Sequence, residues 1–244
     1  MKNEQQWQPT RYVQSGRLWR ASRQTTEVAV GSRLCVDLVG EHYSSAIPRF
    51  ARGDFLDLGC GKAPLYGLYR QYQDTVTCVD WSQSFHDCSY IDVEADLNQP
   101  LPLATEVFDT ILCSDVIEHL AEPNLFFRET ARILRPGGHL LLNTPFTYPL
   151  HEAPHDYFRY TAFALRHFCE QHGLEVVSLK PMGGYPEVLA DLLAKLFCRL
   201  PVIGGLLAAA PQSLAFRLRS GARSKMSETY SRPLMYALIA RKKP

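Results

Sequence analysis

The sequence lacks a pronounced excess of either charge. Among its 244 residues, 26 are Lys or Arg and 25 are Asp or Glu, so the formal net charge is +1. Domains that bind nucleic acid usually carry a strongly basic surface. The charge balance therefore predicts no nucleic-acid partner.

The sequence also lacks the features of secreted and membrane-spanning proteins. Its seven cysteines are scattered and form no C-x-x-C pair, so we interpret them as reduced thiols and not as a disulfide framework. The N-terminal stretch MKNEQQWQPTRY is polar, unlike a signal peptide. No uninterrupted apolar run reaches the ~18 residues that favour a membrane-spanning helix. We expect a cytoplasmic protein.

What the sequence does contain is a regular alternation of strand and helix patterns. Strands are predicted at 54–59, 75–80, 89–97, 108–115, 139–145, 174–181 and 233–243. Helices are predicted at 64–72, 122–134 and 161–173, with weaker helical patterns at 22–30 and 32–47. This order predicts a mostly parallel sheet that is covered by helices on both faces.

A glycine turn follows the first of these strands, in FLDLGCGKAP. Gly59 and Gly61 allow the backbone to approach a ligand closely, and the next helix presents free N–H groups. The dinucleotide motif G-x-G-x-x-G fails because Pro64 occupies the third glycine position. Asp57, two residues before the first glycine, would repel a pyrophosphate, so the turn favours a cationic ligand.

Acidic residues also end the next two predicted strands. Asp80, in CVDWS, is placed to accept hydrogen bonds from both hydroxyls of a ribose. Asp96 could accept a hydrogen bond from an exocyclic amine, and Leu97 could pack on a purine face. The edge of the sheet therefore has the groups that a nucleoside requires.

Five segments together resemble the motifs of class I S-adenosylmethionine-dependent methyltransferases. In order, they are FLDLGCG, CVDWS, ADLNQPLP, FDTILCSDVIEHL and RILRPGGHLLLNTP. The resemblance is close over about residues 53–145. It implies S-adenosylmethionine as the cofactor and S-adenosylhomocysteine as the product.

The resemblance and the order of elements imply one α/β domain with a doubly wound, Rossmann-like sheet. We expect seven strands, mostly parallel, with an antiparallel last strand. The expected organisation is an N-terminal helical cap at 1–50, a cofactor-binding core at 51–184, an apolar helical insertion at 185–225 and the final strand at 226–244.

The resemblance also assigns cofactor contacts by position. It implies Asp57, Gly59, Cys60 and Gly61 at the amino acid part, Asp80 at the ribose, Trp81, Asp96 and Leu97 at the adenine, and Ser114 beneath the methionine. Alternatively, Asp57 could be a turn acid, Trp81 a core aromatic residue and Ser114 a space-filling one.

The sequence HEAPH at 151–155 matches the zinc protease signature H-E-x-x-H. That signature requires a helix, so that both histidines share a face. Pro149 and Pro154 flank and interrupt the stretch, and proline disrupts a helix. We therefore expect no metal site.

The surrounding segment, 143–161, is dense in titratable and aromatic residues, which is typical of functional loops. Its HDYFRYT stretch resembles a methyltransferase subgroup that includes glycan and natural-product enzymes. Since histidine titrates near neutrality, His155 is the first candidate base, oriented by Asp156 or Glu152, and His119 is the second. The candidate substrate-binding residues are His151, Tyr148, Tyr157, Arg159 and Tyr160. Alternatively, the loop is held by its own hydrogen bonds, with Arg159 paired to Asp156.

The expected function is O-methylation of a sugar, a glycan or a small secondary metabolite. One alternative is N- or C-methylation of a lipid or quinone. Another is a non-catalytic subunit that only binds the cofactor. The protein would be a monomer or a homodimer.

The segment 185–225 is the most apolar of the chain, and four basic residues lie near its C-terminal end. They are Arg217, Arg219, Arg223 and Lys225. Such a segment could cover the acceptor site, form a dimer face or lie on a membrane surface. The last of these would place the protein peripherally on the inner face of the membrane.

Overall fold

The computed structural model describes residues 1–82, 89–222 and 232–244. In these residues the strands are β1 Tyr12–Ser15, β2 Leu18–Ala21, β3 Asp54–Leu58, β4 Thr75–Asp80, β5 Val93–Glu94, β6 Phe108–Ser114, β7 Leu134–Pro145, β8 Leu174–Met182 and β9 Met235–Lys242. The α-helices are α1 Arg33–Phe50, α2 Tyr66–Tyr69, α3 Pro123–Ile133, α4 Ala162–Gln171, α5 Tyr185–Phe197 and α6 Gly204–Ala222.

Seven strands form one sheet in the order β5-β4-β3-β6-β7-β9-β8. The pairs β4–β5, β3–β4, β3–β6 and β6–β7 are parallel, whereas β9 runs antiparallel to both β7 and β8. The predicted fold class is therefore confirmed: a seven-stranded, mostly parallel Rossmann-like sheet with an antiparallel last strand.

The central strands are buried on both faces because helices cover both. Leu112 and Leu141 belong to a core cluster with α1 and α2. Their neighbours Ile111 and Leu140 belong to a second cluster with α3 and α4. Successive side chains of a strand point to opposite faces, which explains why these strands read as continuous apolar runs.

Helix ends follow recognisable local signals. Pro123 begins α3, where its missing N–H costs little. Thr161 caps α4 and accepts a hydrogen bond from Ala164 N at 3.2 Å. Gly173 ends this helix with a positive φ of 73°, the backbone region that favours glycine.

The N-terminal region differs from the prediction. Residues 12–21 form the antiparallel hairpin β1–β2, which was not predicted, and the helix predicted for 22–30 is wrong. The next predicted helix, 32–47, corresponds to α1. The hairpin packs on α1 through Trp19, whose N–H donates to Ser44 Oγ at 2.8 Å. These tertiary contacts, rather than a local pattern, stabilise the hairpin.

Three further boundaries differ. The strand predicted at 89–97 is reduced to Val93–Glu94, and the helix predicted at 64–72 is α-helical only over Tyr66–Tyr69. Strand β7 begins directly after α3 at Leu134, because the Arg-Pro-Gly-Gly sequence continues into the strand through a register shift.

The apolar segment forms α5 and α6. Leu189, Leu192 and Leu196 on α5 are exposed by 51–58%, while Lys195 of the same helix lies 4.2 Å from the centre of the Tyr148 ring. The side chain of Arg219, and all of Arg223 and Lys225, lie outside the described part of the structure. Among the described residues, no helix is both long and apolar enough to span a membrane.

The cysteines among the described residues form no disulfide bonds. Cys35, Cys60, Cys78, Cys113 and Cys169 are buried, and Cys198 is exposed. Cys88 lies outside the described residues. The interpretation as reduced thiols therefore agrees with the six that are described.

Candidate active site

A cavity of about 710 Å³ opens at the carboxyl ends of the central strands. Its volume lies within the range of about 300–1,000 Å³ that is usual for small-molecule sites. The predicted cofactor-binding residues that line it are Gly59, Cys60, Gly61, Asp80, Trp81, Asp96, Leu97 and Ser114. The strand order therefore brings residues from four separate motifs to one cavity.

The glycine turn after β3 is fixed by its neighbours. Gly59 has a φ of 77°, and a Cβ at this position would lie 2.5 Å from Val116 Cγ2. The N–H groups of Gly59 and Cys60 both donate to Val79 O, at 2.8 and 3.1 Å. A larger residue at 59 would displace the turn from β4.

Asp80 connects this turn to the loop after β4. Its Oδ2 accepts a hydrogen bond from Gly61 N at 2.6 Å, and its Oδ1 accepts one from Trp81 N at 2.8 Å. The side chain is buried but lines the cavity. These bonds fix the carboxylate at the wall of the cavity.

Asp57 takes a different position from the one that the resemblance implied. It lies behind the turn, outside the set of described residues that line the cavity. Its Oδ2 accepts a hydrogen bond from Tyr69 Oη at 2.7 Å. Burial, reinforced by the charge of Asp80, raises the pKa of Asp57 to about 7. Asp57 thus supports the turn from within the core.

The remaining predicted cofactor residues follow β5 or end β6. Asp96 Oδ1 accepts hydrogen bonds from Asn98 N at 2.8 Å and from Asn98 Nδ2 at 3.1 Å. Leu97 is buried against the α3 side of the sheet, and Ser114 ends β6. The two hydrogen bonds from Asn98 thus hold Asp96 within its own turn.

The loop after β7 contains residues of two kinds. Tyr148, His151, His155 and Tyr157 line the cavity. Three others hold the loop in place. Arg159 binds Asp156 through two hydrogen bonds, of 2.5 and 2.7 Å, which keep the pKa of Asp156 below its usual value.

The third of these supporting residues is Tyr160. Its side chain is buried, and its hydroxyl donates to Ile117 O at 3.1 Å. The alternative in which the loop is held by its own hydrogen bonds therefore describes Arg159 and Asp156. The cavity-lining residues are the ones that remain available for a substrate.

The two candidate bases adjoin each other. His119 Nδ1 lies 2.9 Å from His155 O, and because a carbonyl only accepts, Nδ1 must carry the proton. His155 Nδ1 lies 3.2 Å from Tyr157 Oη, and its ring contacts Trp81 edge-on at 5.4 Å. His155 thus lies between the predicted adenine side and the rest of the loop.

The HEAPH sequence does not form a protease-type zinc site. Residues 151–155 form a turn, not a helix, so His151 and His155 do not share a helical face. His151 N donates to Asp156 Oδ2 at 2.9 Å. Burial, together with the nearby His119, lowers the pKa of the His151 imidazole.

Glu118 is a site residue that the sequence did not reveal. Its side chain is fully buried, and its Oε2 accepts a hydrogen bond from Thr144 Oγ1 at 3.1 Å. Its Oε1 lies 3.7 Å from His119 Nε2 and 3.9 Å from His151 Nε2. Burial raises the pKa of this carboxyl well above its usual value. The adjacent His119 was the only signal for it.

Other lining residues come from regions whose position could not be predicted. Arg11 and residues 26–29 belong to the N-terminal region. Arg11 lies 3.9 Å from Asp115, which accepts a hydrogen bond from Asn143 Nδ2 at 2.7 Å. Burial raises the pKa of Asp115. The N-terminal region thus closes one side of the cavity.

Comparison with known proteins identifies the domain. Residues 56–142 match the family described as "Methyltransferase domain". The matched segment contains the glycine turn, Asp80, Asp96 and the end of β6. It therefore includes the strand ends that line the cavity.

Curated relatives match over part of their length. A ubiquinone biosynthesis O-methyltransferase from Parvibaculum lavamentivorans is 34% identical over 99 residues, which are 37% of this chain and 39% of the relative. A malonyl-[acyl-carrier protein] O-methyltransferase from Hahella chejuensis is 29% identical over 124 residues, 47% of this chain and 44% of the relative. The chain thus spans less than half of each relative.

Solved structures share the fold. An S-adenosylmethionine-dependent methyltransferase from Mesorhizobium loti superposes with a TM-score of 0.56 at 16% identity, covering 86% of this chain and 100% of the other. The [4+2]-cyclase SpnF gives a TM-score of 0.59 at 18% identity, covering 86% and 83%. Together with the domain match, the fold supports S-adenosylmethionine as the cofactor.

The raised pKa of Asp57 predicts a pH dependence of stability. Between the unfolded value near 3.9 and the folded value of about 7, the folded state binds more protons than the unfolded state. Stability contributed by this group is therefore present at low pH and lost as pH rises through about 7. Asp57→Asn keeps an acceptor for Tyr69. As pH rises from 5 to 8, its free energy of unfolding should increase by about 2–3 kcal/mol relative to that of the wild type.

Urea unfolding at several pH values measures this difference. Asp74→Asn, which removes an exposed carboxylate just before β4, is the matched control for the loss of one negative charge. Parallel pH profiles for wild type and Asp57→Asn would contradict the prediction.

Proposed function

We propose that this chain, whose residues 56–142 form a class I S-adenosylmethionine-dependent methyltransferase domain, transfers a methyl group to an oxygen atom of a small molecule. One observation carries the proposal: the cofactor-type residues and three histidines line the same cavity. The curated relatives named above are O-methyltransferases, which agrees with oxygen as the acceptor atom.

The residues present fit the cofactor. Asp80 would accept hydrogen bonds from the ribose hydroxyls, and Trp81 and Leu97 would flank the adenine. The backbone of Gly59 and Gly61 would lie against the amino acid part, where no Cβ intervenes. The bound cofactor supplies the methyl group on its sulfonium sulfur, and the protein aligns the acceptor with it.

Alignment is the largest contribution that this arrangement can make. Holding two reactants in line can lower a barrier by about 7–11 kcal/mol. The walls of the cavity opposite the strand ends consist of the N-terminal region and the loop after β7, so an acceptor would enter between them. Tyr148, Tyr157 and His151 would contact it there.

A hydroxyl acceptor must also lose its proton. A positioned base contributes about 10²–10⁴ in rate, and His155 is the base that we propose. It lines the cavity beside Trp81, and its hydrogen bond with Tyr157 orients the ring. Of the two predicted orienting residues, Asp156 instead pairs with Arg159 and shapes the loop, and a carboxylate oxygen of Glu152 lies 3.7 Å from His119 Nε2.

The acceptor is further specified by its chemical class. A sugar or secondary-metabolite hydroxyl follows from the HDYFRYT resemblance, and a quinone-type phenol would agree with the name of the Parvibaculum relative. Both bear hydroxyls that a tyrosine- and histidine-lined cavity can bind. We propose the sugar or secondary metabolite, and the phenol is the competing acceptor in the test.

Mass spectrometry of products tests the function directly. Incubation with isotopically labelled cofactor and a panel of sugars, phenols and amines should yield a singly methylated hydroxyl compound. His155→Gln should lower kcat by about 10²–10⁴ with a much smaller change in cofactor affinity, because it acts on the acceptor.

His167→Gln, on the exposed face of α4, is the control and should keep wild-type turnover. Cofactor binding without product from any acceptor would favour a non-catalytic subunit. Methylated amines as the only products would contradict oxygen as the acceptor atom. A wild-type kcat in His155→Gln would show that His155 is not the base.

The assignment of Asp80 has its own test. Asp80→Asn should weaken S-adenosylmethionine binding by about 1.5–3 kcal/mol, because charge-assisted hydrogen bonds are lost. Isothermal titration calorimetry measures the change. Asp54→Asn is the matched control, since Asp54 begins β3 at the opposite edge of the sheet and pairs with Arg135 at 2.9 Å. Equal affinity of Asp80→Asn and wild type would place the ribose elsewhere.

We also propose that the α5–α6 segment lies on a lipid surface. Its exposed apolar residues are Leu189, Leu192, Leu196, Leu200, Val202, Ile203, Leu206, Leu207 and Leu214. The basic residues in the sequence at and after the end of α6 would complement anionic headgroups. A membrane-borne acceptor would then meet the cavity near Tyr148, which α5 contacts through Lys195.

Co-sedimentation with anionic vesicles tests this surface. Leu192→Glu should reduce binding about 10-fold or more, because burying one leucine contributes about 1.5–3 kcal/mol. Phe163→Glu, which alters a residue 72% exposed on α4, should bind like wild type. If the protein stays in solution at low salt, the lipid surface is excluded, and concentration-dependent self-association would then indicate a dimer face.

A further inference from the structure

Three side chains with metal-binding atoms converge on one wall of the cavity. One carboxylate oxygen of Glu118 and one ring nitrogen each of His119 and His151 all lie within 4.8 Å of one another. Glu118 and His119 come from the turn after β6, and His151 comes from the loop after β7. The proposed methyl transfer assigns no proton transfer to these three atoms, and of the three residues only His151 is placed against the acceptor.

Both histidines are oriented as metal ligands usually are. A ligating imidazole commonly donates its other N–H to a carbonyl or carboxylate, which fixes the tautomer. His119 Nδ1 donates to His155 O at 2.9 Å. His151 Nδ1 lies 3.3 Å from both Pro149 O and an oxygen of Asp156. The Nε2 atoms of both rings are thereby left facing Glu118.

Glu118 supplies an independent observation. Its Oε1 is buried and makes no hydrogen bond with any described residue, while Oε2 is held by Thr144. A buried carboxylate oxygen without a partner is costly. Oε1 points to the two Nε2 atoms, at 3.7 and 3.9 Å, which are too far for hydrogen bonds. A cation between the three atoms would give Oε1 a partner and stabilise the carboxylate form of Glu118.

We propose that Glu118 Oε1, His119 Nε2 and His151 Nε2 bind a divalent transition-metal ion, with Zn²⁺ as the best match. Two histidines and one glutamate form a known zinc ligand set, which leaves a fourth position open. All three residues line the cavity, from which that position would be reached. The acceptor oxygen of the proposed methyl transfer would occupy it, and this role rests on that proposed function.

The ligand chemistry selects the class of metal. Imidazole favours zinc and its transition-metal neighbours, whereas Mg²⁺ and Ca²⁺ prefer ligand sets made of oxygen atoms. With metal–ligand bonds of about 2.0–2.1 Å, tetrahedral ligand atoms lie about 3.4 Å apart. The observed separations from Oε1, 3.7 and 3.9 Å, exceed this by a few tenths of an ångström, and all three ligand atoms lie within 4.8 Å of one another, so the side chains would move closer together around a bound ion.

A bound metal would have a definite chemical role. As a Lewis acid it would withdraw electron density from the acceptor hydroxyl and lower its pKa. The O–H proton would pass to His155, the oxygen lone pair would form the bond to the methyl carbon, and the carbon–sulfur bond would break. The metal itself undergoes no redox change.

Metal binding is tested without reference to activity. Untagged protein is stripped with a chelator, dialysed and titrated with ZnCl₂ by calorimetry, with bound zinc counted by mass spectrometry. We expect one equivalent per chain. His119→Gln and His151→Gln should each bind at least about tenfold more weakly, since even outer-shell changes cost about 10–100-fold.

His167→Gln, exposed on α4, is the matched control and should bind Zn²⁺ like wild type. His151 lies on a half-exposed loop, so His151→Gln should keep the fold, which circular dichroism verifies. Absence of tight binding, or equal affinity in all variants, would overturn the metal site and leave Glu118 as a buried, protonated structural acid. S-adenosylmethionine affinity measured on the same samples reports on the proposed function separately.

Discussion

The cavity depends on how Glu118 is held. Its main-chain oxygen accepts hydrogen bonds from Tyr157 N at 2.9 Å and from Phe158 N at 3.2 Å, which attach the loop after β7 to the turn after β6. Its side chain reaches inward to Thr144 on β7. One residue therefore joins two loops and the sheet edge. Burying an acid there is costly, so the stability of the site depends on what interacts with its second carboxyl oxygen.

The site divides into two parts with different origins. The part proposed to bind the cofactor is built from strand ends, where Val79 O holds the glycine turn and Asp80 joins two adjacent loops. The part proposed to bind the acceptor is built from loops, and the pair Arg159–Asp156 stiffens the loop after β7. The contact between Trp81 and His155 connects the two parts.

The gathering of the strand-end residues in one cavity was predictable because their signals are local. A strand, a glycine turn and an acid at fixed spacing fold in the same way wherever they occur in such a sheet. The hairpin β1–β2 gave no such signal, since it depends on packing against α1. Asp57 was expected at the cofactor, yet its direction is set by Tyr69, which lies on another element. Glu118 could not be recognised because its burial depends on loops distant in sequence.

The HEAPH motif illustrates the same limit and constrains the chemistry. Its spacing matches that of a zinc-binding helix, but its prolines exclude the helix. Its first histidine, His151, nevertheless lies beside Glu118 and His119, because the fold brings the two loops together. If a metal occupies that cluster, the Nε2 atoms of His119 and His151 are committed to it and cannot accept a proton. His155 is then the histidine of the cavity that remains for proton transfer. The two assignments support each other, since each removes the competing use of the other's residues.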